Sequence, residues 1–257
     1  QSVYINRTRN PEFIRRTIAT IKQGCQREDL MRILFGLGAL LVASAAWSAT
    51  VTQCGPNICY EYDDGQIAAS SSYFGTPTLI GDDMRFLPTT FKAQSNDGVG
   101  VNTGTNTDSY GSTFVFDRIY TVSGAEIANI TYTERGDYAI TNDGSVQANL
   151  LMLAANNNDA AECDCALDSF GDSGATGLAL WQLTASFDAA NSFESLANDV
   201  SLSLQNTLNA YTDASGEQAW IQKKFMTVTV TAVPVPAAVW LMGSALGMLA
   251  MRGRSKR

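Results

Sequence analysis

Apolar and polar residues alternate with a period of two along much of this chain. Across 145–153, Val146, Ala148, Leu150 and Met152 alternate with Gln147 and Asn149, the pattern of a strand buried on one face. Trp181, Leu183, Ala185 and Phe187 alternate with Gln182, Thr184 and Ser186 in 178–187, and Val200, Leu202 and Leu204 do the same in 200–208. The stretches 113–121, 127–134 and 219–230 are rich in Thr, Val, Tyr and Phe and are bounded by Gly, Asn, Asp and Ser clusters, so they too read as strands. Shorter strands are expected at 58–62, 76–80, 84–87 and 90–94. Asn142-Asp143-Gly144 separates Ala139-Ile140 from Val146 and predicts a hairpin. Only 192–197 reads as helical, over about one turn. No repeat of fixed period occurs. The prediction is all-β: a single antiparallel β-sandwich, jelly-roll-like, occupying 49–232.

Two stretches do not alternate, and both are targeting segments by pattern. Met31-Arg32 precedes an apolar core at 33–42, and Ala43-Ser44-Ala45-Ala46-Trp47-Ser48 supplies small residues. This is the layout of a secretory signal peptide over 31–48, cleaved after Ala46 or Ser48. Residues 1–30 are polar and Arg-rich and begin with Gln1; they read as an upstream extension, with Met31 the start. At the other end, 233–257 combines Val-Pro-Val-Pro, an apolar run at 237–251, and the cations Arg252, Arg254, Lys256 and Arg257. The run reads as a C-terminal transmembrane helix at the short end of a bilayer span, for which about 20 residues are typical. The cations form a stop signal that keeps the tail cytoplasmic and the bulk outside. Pro234 and Pro236 hold the preceding peptide extended at the membrane surface.

The tail also carries a resemblance. Val233, Pro234, Val235, Pro236 and Ala237, continuing as Ala-Val-Trp-Leu-Met-Gly-Ser to Ser244, resemble the C-terminal sorting signal of the PEP-CTERM family, in its Val-Pro-x-Pro-Ala variant. The name-giving signal has Glu where this chain has Val235. The resemblance implies recognition and processing by an exosortase-type membrane protease of Gram-negative bacteria. It also implies an inner-membrane-anchored intermediate and release to the cell surface or an extracellular, biofilm matrix rich in polysaccharide. Three body stretches, Asp83-Met84-Arg85-Phe86-Leu87-Pro88-Thr89-Thr90-Phe91, Glu134-Arg135-Gly136-Asp137-Tyr138 and Ala219-Trp220-Ile221-Gln222-Lys223-Lys224-Phe225, are similar to stretches of β-sandwich members of that group. They imply the fold and bring no activity.

Charge narrows the partners. Between residues 50 and 232, 22 acidic side chains face 6 basic ones, a net charge of −16 that the chain's overall −8 conceals. Such a surface repels nucleic acid and polyanions. There is no histidine, so Gly171-Asp172-Ser173-Gly174 has no base to serve a nucleophilic serine, and histidine-based zinc or haem sites are excluded. No enzyme activity and no cofactor are expected.

Cys54, Cys59, Cys163 and Cys165 are an even set of cysteines in an exported domain, which predicts disulfides. Gly55-Pro56-Asn57 would turn Cys54 back toward Cys59. Cys163 and Cys165 would close a small ring or pair with the first two. The stretch 156–176 lacks β pattern and reads as an acidic loop, with Asp159, Asp164, Asp168 and Asp172 as calcium candidates. Two functions of different class follow: a structural or adhesive surface component, or a glycan-binding module, calcium-assisted in one version. Glycan binding requires aromatic side chains exposed on a sheet face or at loop tips; Trp181 and Trp220, in alternating strands, are expected in the core.

Overall fold

The computed structural model of the chain describes residues 49–66, 73–159 and 161–233. In chain order the elements are β1 (Thr50–Cys54), β2 (Ile58–Asp63), β3 (Thr78–Ile80), β4 (Asp83–Phe86), β5 (Lys92–Asn96), β6 (Val99–Gly100) and β7 (Thr107–Thr121). They continue with β8 (Ile127–Thr141), β9 (Ser145–Asn156), β10 (Cys163–Ser173), β11 (Thr176–Asp188), the single-turn helix α1 (Ala189–Ser192), β12 (Asp199–Tyr211) and β13 (Gln218–Ala232). Two antiparallel sheets result. The first runs β1-β2-β7-β12-β9-β10; the second runs β11-β8-β13-β4-β3, with β5 also on β13 and β6 on β5.

Alternation dictates what faces inward. Val200, Leu202, Leu204, Leu208 and Ala210 of β12 meet Ile130 and Tyr132 of β8 and Ile221, Met226 and Val228 of β13 in one core. At one end of it Phe74, Phe86, Phe91, Phe114 and Phe116 pack largely edge to face, as with Phe86 and Phe114 at 5.0 Å between centroids, the geometry that ring quadrupoles favour.

The six long predicted strands are all present, each longer than predicted, and the sandwich holds as two facing antiparallel sheets. Three local expectations fail. Asn142-Asp143-Gly144 does turn the chain, with Asn142 at φ 64°, but β8 and β9 do not pair: β8 lies between β11 and β13, and β9 between β12 and β10. Each strand has an apolar face to bury, and the turn carries the chain from one sheet to the other so that the two faces oppose. The expected loop at 156–176 is mostly β10, paired with β9 over eleven residues. A ready neighbour supplies the ladder there and overrides poor strand propensity. The helical turn is Ala189–Ser192, capped by the Asp188 carboxylate on the Asn191 N–H; residues 193–197 are irregular.

Among the described residues no helix is long and apolar enough to cross a membrane. The predicted signal peptide 31–48 and the predicted membrane span 237–251 lie outside them.

Candidate functional site

A small polar cluster is buried within the apolar core of the sandwich. On β13, inward positions 219 and 221 are followed by Lys223, just before a bulge that shifts the register between Lys223 and Phe225. On β8, Ile130 and Tyr132 are followed inward by Glu134; on β12, Asn206 stands between Leu204 and Leu208. Lys223 and Glu134 come from the second sheet and Asn206 from the first, so the three meet across the core.

Lys223 Nζ donates to Glu134 Oε2 and to Asn206 Oδ1, each at 2.5 Å. The Tyr132 hydroxyl is 3.3 Å from both of those oxygens and 2.8 Å from Met226 Sδ. The Phe91 ring covers the ammonium position at 4.5 Å. Lys223 and Glu134 are wholly buried, and Asn206 is 2% exposed. Burial pushes the lysine down, against the opposing pull of Glu134. It pushes the carboxyl of Glu134 up, against Lys223, and raises the phenol of Tyr132, helped by the Glu134 charge. Both members of the pair are thereby biased to their neutral forms. Glu134 Oε1 and Asn206 Nδ2 have no hydrogen-bond partner, unusual for buried polar atoms. The site is a primary amine, a carboxyl and a carboxamide in mutual reach and shielded from solvent.

None of the three stands out in the sequence as a site residue, Glu134 and Lys223 being named only within strand stretches, although the alternation places each on an apolar face. Glu134 lies two residues after Tyr132, Lys223 two after Ile221, and Asn206 midway between Leu204 and Leu208. Reading polar residues at inward positions would have found them.

The predicted site residues fall elsewhere. Cys54 and Cys59 form a disulfide that closes the β1–β2 turn. Cys163 and Cys165 open β10 opposite Ala155 and Leu153. Asp164, Asp168 and Asp172 share one side of β10 at four-residue intervals, about 13 Å apart at strand rise. They serve separate partners: Ser192 Oγ for Asp164, the Thr184 N–H for Asp168, and the hydroxyls of Tyr138 and Thr176 for Asp172. Asp159 caps the preceding turn, accepting from the Ala161 N–H. The structure therefore spreads the calcium candidates, and among the described residues no three metal-ligating side chains come together. Of the sorting motif only Val233 is described; Pro234, Val235, Pro236 and Ala237 and the four terminal cations lie outside.

Trp181 is buried over Gly136, its indole N–H donating to the Gln222 carbonyl at 3.1 Å. Trp220 is half-buried under Lys92. Among the described residues no Trp, Tyr or Phe is fully exposed. A polar depression of about 310 Å³ lies where β7, β9 and β12 meet, lined by Thr107, Ser145, Gln147, Asn209 and Tyr211.

No family model matches the chain, and no curated protein does. Among solved structures, an arabinose-bound α-L-arabinofuranosidase, MgGH51, aligns at 11% identity and a TM-score of 0.21 over 62% of this chain and 24% of its own. TmCBM61, in complex with β-1,4-galactotriose, aligns at 9% and 0.21 over 71% and 88%. The N-terminal cellulose-binding domain of Cellulomonas fimi β-1,4-glucanase C aligns at 13% and 0.19 over 56% and 90%. Similarity this low carries no functional information.

Proposed function

We propose that this chain is an exported structural or adhesive component of the cell surface or biofilm matrix, brought out by the leader 31–48 and sorted through 233–257 by an exosortase-type protease. The observation that favours a structural part over a catalytic or sugar-stacking one is the closed surface of the sandwich: its aromatic side chains are buried or half-buried, and its most concentrated chemistry is sealed inside. The Cys54–Cys59 disulfide suits an oxidising compartment. Intact mass of the mature protein from its own host tests the reading. The expected chain begins at Trp47 or Ala49 and ends near Pro234 to Pro236. A product that keeps Arg15-Arg16 contradicts export by this leader; one that keeps Arg252 to Arg257 makes the tail an anchor only.

A second reading, a glycan-binding module, is favoured by the depression at Gln147, Asn209 and Tyr211, whose amides and phenol suit sugar hydroxyls. Retention on matrix polysaccharide that Tyr211→Ala abolishes would replace the structural reading with this one.

A further inference from the structure

We propose that Lys223 and Asn206 are joined by an intramolecular amide bond, Nζ of the lysine to Cγ of the asparagine, formed with Glu134 as proton carrier. The geometry supplies each part. Nζ touches the carboxamide oxygen and a carboxyl oxygen at the same 2.5 Å, so the nucleophile, the carbonyl and the proton carrier are already assembled. The bulge after Lys223 fixes the direction of that side chain. Phe91 closes over Nζ on another side.

In the reaction the neutral amine attacks Cγ, and the N–C bond forms as the carbonyl electrons move onto Oδ1. The Tyr132 hydroxyl, 3.3 Å from Oδ1, stands where it can donate to that oxygen. Glu134, protonated, gives its proton to Nδ2 and takes one from Nζ in its place, so its own protonation state is restored. The Cγ–Nδ2 bond then breaks and ammonia leaves, so amine plus carboxamide become a secondary amide plus ammonia, with no oxidant, reductant or further reactant. Burial favours the neutral amine and the protonated carboxyl that this needs.

A simple ion pair accounts for less. It would keep a charged pair away from water, at a desolvation cost that good geometry must offset. It would also leave Asn206 Nδ2 and Glu134 Oε1 without partners. The amide removes the lysine charge and expels Nδ2. The reverse step needs the departed ammonia, and hydrolysis of the amide needs water in a position that the core seals.

The test is a peptide map of the full chain, reduced and denatured. Chymotrypsin can cut at Tyr211 and Trp220, between the two residues, so an unlinked protein yields separate peptides. The expected result is one branched peptide whose mass is that of the two linear ones less one ammonia, with the unlinked pair all but absent. Lys223→Arg should give only linear peptides. Glu134→Gln should lose the link while keeping the β circular dichroism and the Cys54–Cys59 disulfide. Linear, unmodified peptides from the unaltered protein would overturn the proposal, without any variant having to fold. A Glu134→Gln protein linked as fully as the original would overturn the role of Glu134. Neither result bears on export, which the intact termini report separately.

Discussion

Gly136 shows how narrowly single positions are set. A Cβ there would lie 1.8 Å from the Gln222 carbonyl oxygen and 2.6 Å from Trp181 Nε1, because the indole lies across the glycine to reach that carbonyl. Gly136→Ala must push apart β8 and β13 or displace Trp181, and overpacking of this kind costs about 1–3 kcal/mol. Gly177, with open space where its Cβ would be, is the control: Gly177→Ala should change the urea-unfolding free energy by less than about 0.5 kcal/mol. Equal effects of the two substitutions would contradict the packing. The role of Gly136 was not legible in Glu134-Arg135-Gly136-Asp137-Tyr138 alone, since a glycine in a strand states only that something comes close. What comes close is Trp181, some forty-five residues on in sequence, and only the pairing of β11 with β8 reveals it.

At the scale of elements, the two sheets are pinned at one end by Asp82, in the turn between β3 and β4. Its carboxylate accepts from the N–H groups of Asn57 and Ile58, at 2.8 and 3.1 Å, and from the Asn57 side chain at 2.8 Å, while Tyr60 donates to its carbonyl. The β1–β2 turn of the first sheet is thereby held to the β3–β4 turn of the second. Partial burial works against ionisation, but these hydrogen bonds outweigh it and hold the carboxyl below its ordinary 3.8. A depressed folded value means that the carboxylate's contribution is full above the unfolded value and is lost as the pH falls through the folded one. Asp82→Asn should therefore destabilise the neutral protein by about 1 kcal/mol, after allowance for solvent screening. The difference should shrink below pH 3.8 and vanish below the folded value; a gap that persists in strong acid would contradict the account. Elements were legible wherever one face is apolar, as in β9, β11 and β12. The pattern gives the buried face of a strand but not its neighbour, so it could not separate a hairpin at Asn142-Asp143-Gly144 from a crossing between sheets. It also gives no sign of β10, whose ladder is borrowed from β9.

Across the whole molecule, the net charge of −16 over 50–232 is balanced only locally. Arg118 bridges Glu61 and Asp199, Lys224 pairs with Asp137, and Arg85 with Asp83. Self-repulsion among the remaining carboxylates opposes the compact state. Raising salt from about 0.01 M to about 0.1 M shortens the screening length from about 30 Å to about 10 Å and should raise the thermal midpoint. A falling midpoint would mean that the surface pairs outweigh the repulsion. Composition made this excess visible, but it could not say that one lysine is spent inside the core, where Lys223 adds nothing to the surface balance. β13 has a further consequence of a mechanical kind. It is the last described strand, it leads directly into Val233, and it is gripped on one side by β8 and on the other by β4 and β5. Tension applied through the C-terminal tail enters the middle of the second sheet and loads two ladders lengthwise at once. Their cross-strand hydrogen bonds must then fail together instead of unzipping singly, so the strand by which the domain would be tethered is also among the hardest to pull out.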